Sequence, residues 1–139
     1  MKIAKEFKWE MGHRLTFHEG GCKNLHGHSY KMMIELEGKE NENGMVMDYY
    51  DVSKMVKPVI EKLDHSFMAY EKDTLLLEVL EKLDSKKVIV DFESTVENIC
   101  KYLLKEIMKG NFPKNIKRLK IRIFETEGDY AEEELILNS

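Results

Sequence analysis

Four stretches of the chain show the alternation of apolar and polar residues that is typical of β-strands. The clearest is residues 28–38, where the even positions from 30 to 36 are all apolar. Residues 2–10 have a mixed pattern of apolar and polar residues, which is compatible with an earlier strand. Near the C-terminus, residues 118–125 and 130–137 predict two more strands, and Gly and Asp stand at the turn between them. The pattern therefore predicts two strand pairs, one at each end of the chain.

Helical periodicity fills much of the region between these strand pairs. Asp51 can cap a helix over residues 52–63, whose apolar side chains recur every three or four positions. Pro58 lies inside this run and predicts a kink or a break near Lys57. Residues 74–83 are rich in Leu and predict a second, shorter helix.

A third helix is predicted from the run STVE (94–97), which reads as a capping box, to about Lys109. Residues 45–49 and 88–92 are short apolar runs that are compatible with extended structure. The order is ββ-α-α-ββ, with the Leu-rich helix between the two main ones. This order predicts an α+β domain, in which an antiparallel four-stranded sheet carries helices on one face.

Length and composition narrow the class of protein. With 139 residues and 42% hydrophobic residues, the chain is expected to form one domain, residues 1–139, with a real core. The net charge of −4 argues against a nucleic-acid partner, since such domains usually carry a basic surplus. A charged N-terminus and no apolar run of about 20 residues argue against a signal peptide and a membrane span. We expect a cytoplasmic protein.

The candidate chemistry lies in the histidines, which all fall in the first half of the chain. His26 and His28 flank Gly27 at the start of a predicted strand, so both imidazoles point to the same face. His13, near the end of the first strand, is the preferred third ligand, and His18 in a Gly-rich loop is the rival. Three imidazoles would leave one position of a tetrahedral zinc open, as in catalytic sites. The alternative is that these are ordinary polar histidines on a strand edge.

Three other positions carry possible chemistry. Cys22 could be a fourth ligand that closes the site, or a thiol held off the metal and usable as a base. Asp64 and His65 form a pair in which the carboxylate could orient the imidazole, or simply a helix cap beside a surface histidine. Glu125 ends a strand and is either solvated or aimed into a site. Cys100 reads as an inert core thiol.

Taken together, these residues resemble the zinc-dependent superfamily of 6-pyruvoyltetrahydropterin and 6-carboxytetrahydropterin synthases. The matching elements span nearly the whole chain and keep the family order. They are FKWEMGHRL (7–15), CKNLHGHSY (22–30), GMVMDY (44–49), LDH (63–65), STVEN (94–98) and FETEGDYAEEE (124–134).

The resemblance implies roles for the residues that match its motifs. Cys22 becomes the general base, and Asp64 with His65 the pair that handles protons. The implied zinc ligands are His13, His26 and His28.

The same resemblance implies the substrate contacts. Glu125 becomes the anchor for a pterin, whose N–H and exocyclic amine present two donors to one carboxylate. Thr95 and Glu97 match a motif near the pterin, although the capping box explains Glu97 as a structural residue. By proximity, Lys23 and Arg14 are candidates to contact the triphosphate.

Only three residues separate Cys22 from the HGH run, which resembles the 6-carboxytetrahydropterin synthases of deazapurine biosynthesis. The resemblance implies that 7,8-dihydroneopterin triphosphate yields 6-carboxytetrahydropterin, acetaldehyde and triphosphate, on the route to queuosine-type bases. A pyruvoyl-type synthase is the alternative within the family, and a non-catalytic zinc-stabilised protein the alternative outside it. The implied architecture is the tunnelling fold (T-fold), whose trimeric barrels stack into a homohexamer with active sites between subunits.

Overall fold

Six β-strands form one mixed sheet in the computed structural model, which describes residues 1–138. The strands are β1 (Lys2–His13), β2 (His26–Gly38), β3 (Ser66–Tyr70), β4 (Lys87–Val90), β5 (Ile116–Phe124) and β6 (Tyr130–Ile136), and the helices are α1 (Tyr49–Leu63), α2 (Thr74–Lys82) and α3 (Val96–Ile107). The strand order is β4-β3-β1-β2-β5-β6. Neighbours among β1, β2, β5 and β6 pair antiparallel, whereas β3 runs parallel to both β1 and β4.

The predicted α+β class is confirmed, and the four predicted strands form its antiparallel part. The strand count was wrong, because β3 and β4 extend the sheet to six strands. Strand β3 lacks alternation because it is covered on both faces. Met68 belongs to the main core, whereas Ala69 packs against α2. A short strand of this kind has no periodic signal of its own.

The segment before α1 differs from the predicted one. Residues 45–49 form no strand, and Val46 and Met47 instead bury their side chains in the core. The cap of α1 is Asp48, whose side chain accepts the Tyr50 N–H at 2.8 Å, and not Asp51. The helix continues through Pro58, so the predicted break does not form.

The core lies between one face of the sheet and helices α1 and α3. Helix α1 contributes a stripe of four buried residues: Val52, Val56, Ile60 and Leu63. Helix α2 packs Leu76 and Leu80 against Ala69 and Phe67, which alternate to the other face of β3. Within residues 1–138, no helix combines the length and the apolar character that a membrane crossing requires.

An ion pair joins the start of α2 to the residue that follows β1. Arg14 binds Asp73 through two hydrogen bonds, of 2.6 and 2.7 Å, and the Asp73 side chain is only 4% exposed. The Arg14 guanidinium holds the pKa of Asp73 below its usual value, against the opposing effect of burial. The same carboxylate accepts the Leu76 N–H and so caps α2.

We expect Arg14→Met to lower the free energy of unfolding by about 2 kcal/mol at neutral pH, because the buried Asp73 carboxylate loses its charged partner. Lys109→Met is the matched control. It removes an exposed pair with Glu106 and should cost less than about 0.5 kcal/mol. Urea denaturation of both variants gives these values. If both variants lose the same free energy of unfolding, the Arg14–Asp73 pair stabilises the fold no more than an exposed pair does.

The effect of Arg14→Met should depend on pH. A carboxylate whose pKa is lowered by folding stabilises the fold above its unfolded pKa of about 3.9 and loses that contribution as pH falls through the folded value. The difference in stability between the wild type and Arg14→Met should therefore shrink as pH falls below about 4.

Candidate metal centre and active site

The antiparallel pairing of β1 with β2 brings three histidines together. His13 is paired directly with His26 at the end of the ladder, and His28 lies two positions further along β2 on the same face. The Nε2 atoms of His13 and His28 are 3.1 Å apart. One ligand atom from each of the three side chains lies within 4.8 Å of the others. Small side-chain rotations would close this set around a single ion.

Backbone carbonyls orient two of the three imidazoles. His13 Nδ1 lies 2.8 Å from the carbonyl oxygen of Ser94, and His26 Nδ1 lies 2.7 Å from that of Asn24. A carbonyl can only accept, so in each ring Nδ1 donates and the Nε2 lone pair is free. In His26 this Nε2 is buried and has no hydrogen-bond partner within residues 1–138. A metal ion would satisfy it, and histidines that bind metals are commonly oriented in this way.

The imidazole cluster also favours the neutral form that binds metals. Burial is the main cause that lowers the pKa of His13 to about 4, with His26 and His28 acting in the same direction and the Ser94 contact opposing them. Burial, assisted by His26, lowers the pKa of His28 as well. The three histidines predicted from the sequence are therefore positioned to bind a metal.

Glu125 borders this cluster immediately after the end of β5. Its Oε1 lies 3.5 Å from His13 Nε2 and 3.6 Å from His28 Nε2. Burial raises the pKa of Glu125, His26 opposes this effect, and the nearby Glu97 carboxylate adds to it. The lowered pKa values of His13 and His28 weaken these contacts as ion pairs. A half-buried carboxylate held here is suited to accept N–H groups from a ligand.

Cys22 lies outside the group of three ligand atoms. It occupies a short 3₁₀ turn, Gly21–Lys23, and its side chain is partly exposed. Its carbonyl accepts the Leu15 N–H at 2.8 Å, which ties this turn to the chain two residues after His13. A separate loop thus carries Cys22, and its backbone is anchored to the segment that follows β1.

Asp64 and His65 form a hydrogen-bonded pair at the end of α1. His65 Nδ1 lies 3.0 Å from Asp64 Oδ1, and Asp64 Oδ1 also accepts the Glu10 N–H at 2.9 Å. This backbone hydrogen bond is the main cause that lowers the pKa of Asp64. The His65 side chain is 77% exposed and lines a cavity of about 380 Å³ that also borders His28. Glu10 and Gly12 line the same cavity, on the sheet face opposite the three clustered imidazoles.

The N-terminus of α3 differs from the predicted capping box. The cap is Thr95, whose hydroxyl accepts the Asn98 N–H at 3.2 Å, and not Ser94. Glu97 is then not the capping partner, so the structural explanation offered for it is wrong. Glu97 is exposed and close enough to influence Glu125. Ser94 is buried, 1% exposed, with its hydroxyl 3.2 Å from His13 Nδ1.

The remaining candidates lie apart from the cluster. His18, the rival third ligand, accepts the Gly20 N–H through Nδ1 and is not part of the histidine group. Arg14 is engaged by Asp73, which occupies the guanidinium proposed for the triphosphate. Lys23 is exposed.

Sequence reasoning missed the residues that support the site from a distance. Ser94 and Asn24 act through backbone carbonyls, which any residue possesses, so their residue type carries no signal. The Arg14–Asp73 pair joins positions 59 apart and has no local spacing that could indicate it.

Comparison with known proteins agrees with this geometry. A model of the family described as 6-pyruvoyl tetrahydropterin synthase matches residues 2–135. The 6-carboxy-5,6,7,8-tetrahydropterin synthase of Haemophilus influenzae is 34% identical, over 94% of this chain and 96% of that protein. The protein of the same name from Aquifex aeolicus is 33% identical, over 94% of this chain and 96% of its own length.

Solved structures show the same architecture. The 6-pyruvoyl tetrahydropterin synthase of Plasmodium vivax superposes with a TM-score of 0.80 at 18% identity, covering 99% of this chain and 98% of that one. An uncharacterized protein of Wolinella succinogenes superposes with a TM-score of 0.77 at 24% identity, covering 96% and 97%. These likenesses confirm the predicted tunnelling fold. The matched family model and the relatives that align over nearly the whole chain establish that the chain belongs to the 6-pyruvoyl tetrahydropterin synthase family.

Proposed function

We propose that this chain is a zinc-dependent 6-carboxy-5,6,7,8-tetrahydropterin synthase acting on 7,8-dihydroneopterin triphosphate. The observation that carries the proposal is the cluster of three buried or half-buried imidazoles, with one orphaned Nε2, beside a carboxylate. It stands in a chain whose full-length relatives bear the name of that activity. The short spacing from Cys22 to the HGH run agrees with the same choice.

In this proposal the zinc ligands are His13, His26 and His28. When bound, zinc would supply Lewis-acid polarisation of the hydroxyl groups on the substrate side chain. The protein prepares for this through the carbonyls of Ser94 and Asn24, which keep each Nδ1 protonated and each Nε2 available. Ligand nitrogens that are oriented before binding need little reorganisation.

The carboxylate of Glu125 would orient the pterin ring. Its two oxygens can accept the ring N–H and the exocyclic amine together, a bidentate arrangement that fixes the plane of the ring. The position of Glu125 beside His13 and His28 would then place the substrate side chain toward the histidine cluster. Thr95 and Glu97, at the start of α3, would contribute further contacts to the pterin.

Two groups would move protons. Cys22 Sγ would act as the general base, and His65 Nε2 as the second proton carrier. Asp64 Oδ1 binds His65 Nδ1, which leaves Nε2 facing outward for transfer. The high exposure of His65 on this chain agrees with a site completed at a subunit boundary.

We also propose a homohexamer built from two trimers, with a cytoplasmic location and a role in the synthesis of queuosine-type bases. Strand β6 supports the assembly, because it is an edge strand that carries the exposed apolar side chains Tyr130, Leu135 and Ile136.

The wild-type protein should release acetaldehyde and triphosphate in equal amounts from 7,8-dihydroneopterin triphosphate. A coupled alcohol dehydrogenase assay measures acetaldehyde, and ion chromatography measures triphosphate. Triphosphate without acetaldehyde would instead indicate a pyruvoyl-type synthase. Release of neither product would rule out the proposed activity.

His26→Ala should lose bound zinc, whereas His18→Ala should retain about one zinc per chain. Both substitutions remove an imidazole, but only His26 belongs to the cluster. Metal content after dialysis, measured by mass spectrometry, separates the two. Loss of zinc from His18→Ala with retention in His26→Ala would reverse the ligand assignment.

Cys22→Ala should keep its fold and its zinc but lose activity by about 10²- to 10⁴-fold, the usual contribution of a general base. Cys100→Ala is the matched control, because burial raises the pKa of the Cys100 thiol to about 12 and keeps it inert. Activity, metal content and circular dichroism are compared. A Cys22→Ala variant that loses zinc would make Cys22 a ligand and the zinc structural.

A further inference from the structure

The turn that carries Asp64 and His65 has an unusual backbone. His65 has a φ of +60°, in the left-handed region that residues with a side chain rarely adopt. Such a conformation persists only where neighbouring groups hold it in place. The orientation of the His65 imidazole depends on this backbone, because the Cα–Cβ bond turns with it.

Lys86 reaches this turn from the loop between α2 and β4. Its Nζ donates to the carbonyl of Glu61 at 2.7 Å and to that of Asp64 at 2.6 Å. The last carbonyls of a helix have no partner within the helix, and a cation is favoured beside them. Lys86 is itself placed by the sheet, since its own carbonyl accepts the Phe67 N–H at 3.0 Å next to the β3–β4 ladder.

The decisive contacts fall on the peptide unit that joins Asp64 to His65. Its carbonyl oxygen is held by Lys86 Nζ, and its N–H donates to the carbonyl of Glu10 at 2.7 Å. The two ends of one planar group are thus fixed from opposite directions, by the α2–β4 loop and by β1. The rotation of this plane sets ψ of Asp64 and φ of His65 together.

We propose that Lys86 is a positioning residue for the Asp64–His65 pair. It locks the connecting peptide and so holds the imidazole where the Asp64 carboxylate can bind its Nδ1. The inference rests on the proposed function, because the orientation of the His65 imidazole matters for the proton transfer that the proposed function assigns to it.

Other contacts of the turn would remain without Lys86. The Glu10 N–H still binds Asp64 Oδ1, and Ser66 Oγ still binds the carbonyl of Lys62 at 2.9 Å. The fold should therefore survive the loss of Lys86, while the peptide plane regains a rotational freedom. The positive charge of Lys86 also assists, after the Glu10 hydrogen bond and His65, in lowering the pKa of Asp64.

Lys86→Met keeps the length of the side chain but removes its donors. We expect kcat to fall about 10- to 100-fold with KM changed less than about twofold, because misalignment affects the chemical step more than binding. Lys86→Arg, which can still donate to both carbonyls, should recover much of the loss. Lys82→Met is the control: it removes an exposed pair with Glu78 on the neighbouring helix and should leave both constants unchanged. Zinc content should equal that of the wild type in all three.

A readout that needs no turnover keeps this inference separate from the proposed function. Two-bond ¹H–¹⁵N correlation spectra of the zinc-loaded protein report which nitrogen of His65 carries the proton, with the signals assigned by comparison with His65→Gln. Lys86→Met should shift the His65 signals from the Nδ1-protonated pattern of the wild type toward a mixture, and Lys86→Arg should restore them.

The outcomes distinguish the two ideas. If Lys86→Met shifts the His65 spectrum but the wild type turns over no pterin, the positioning role is supported and the proposed function is rejected. A Lys86→Met variant that is less heat-stable, with an unchanged kcat and an unchanged His65 spectrum, would make Lys86 merely structural. That result would overturn the inference.

Discussion

The register between β1 and β2 is the constraint on which the metal centre depends. The ladder runs without a bulge from Lys2 opposite Glu37 to His13 opposite His26. Because side chains alternate between faces, a slip of one residue would move a whole strand's histidines to the other side of the sheet. The buried face of the same two strands resists such a slip, since Trp9 and Tyr30 stack there at 5.2 Å within the core. Core packing and the geometry of the histidine cluster are therefore set by one alignment.

The loops around the sheet supply the groups that orient the clustered histidines and border them. The carbonyls of Ser94 and Asn24 select the tautomers of His13 and His26. Burial keeps His13 neutral, and Glu125 contributes a carboxylate at the open side of the cluster. These groups surround a cluster in which one ligand atom of each imidazole lies within 4.8 Å of the others.

The antiparallel part of the fold and the histidine set were accessible to sequence reasoning because their signals are local. Residues 28–38 alternate regularly, and two histidines separated by one residue on a strand must share a face. The choice of His13 over His18 followed from the expected pairing of the first two strands, which the structure contains. Errors arose where several residues could do the same local task. Asp48 and Asp51 can both cap α1, and only the backbone path decides between them.

The sequence by itself determined the α+β class, the four antiparallel strands and the three clustered imidazoles, because periodicity and strand pairing act between near neighbours. The tertiary structure alone decided which distant groups serve them. The Ser94 carbonyl lies 81 positions from His13, and Lys86 binds the carbonyl of Asp64 across 22. Strand β3 was also decided by the tertiary structure, because it acquires its parallel partners and its two covered faces only when the chain packs. Each of these hydrogen bonds needs a backbone carbonyl that the fold brings beside a distant side chain, and a linear pattern holds no record of that position.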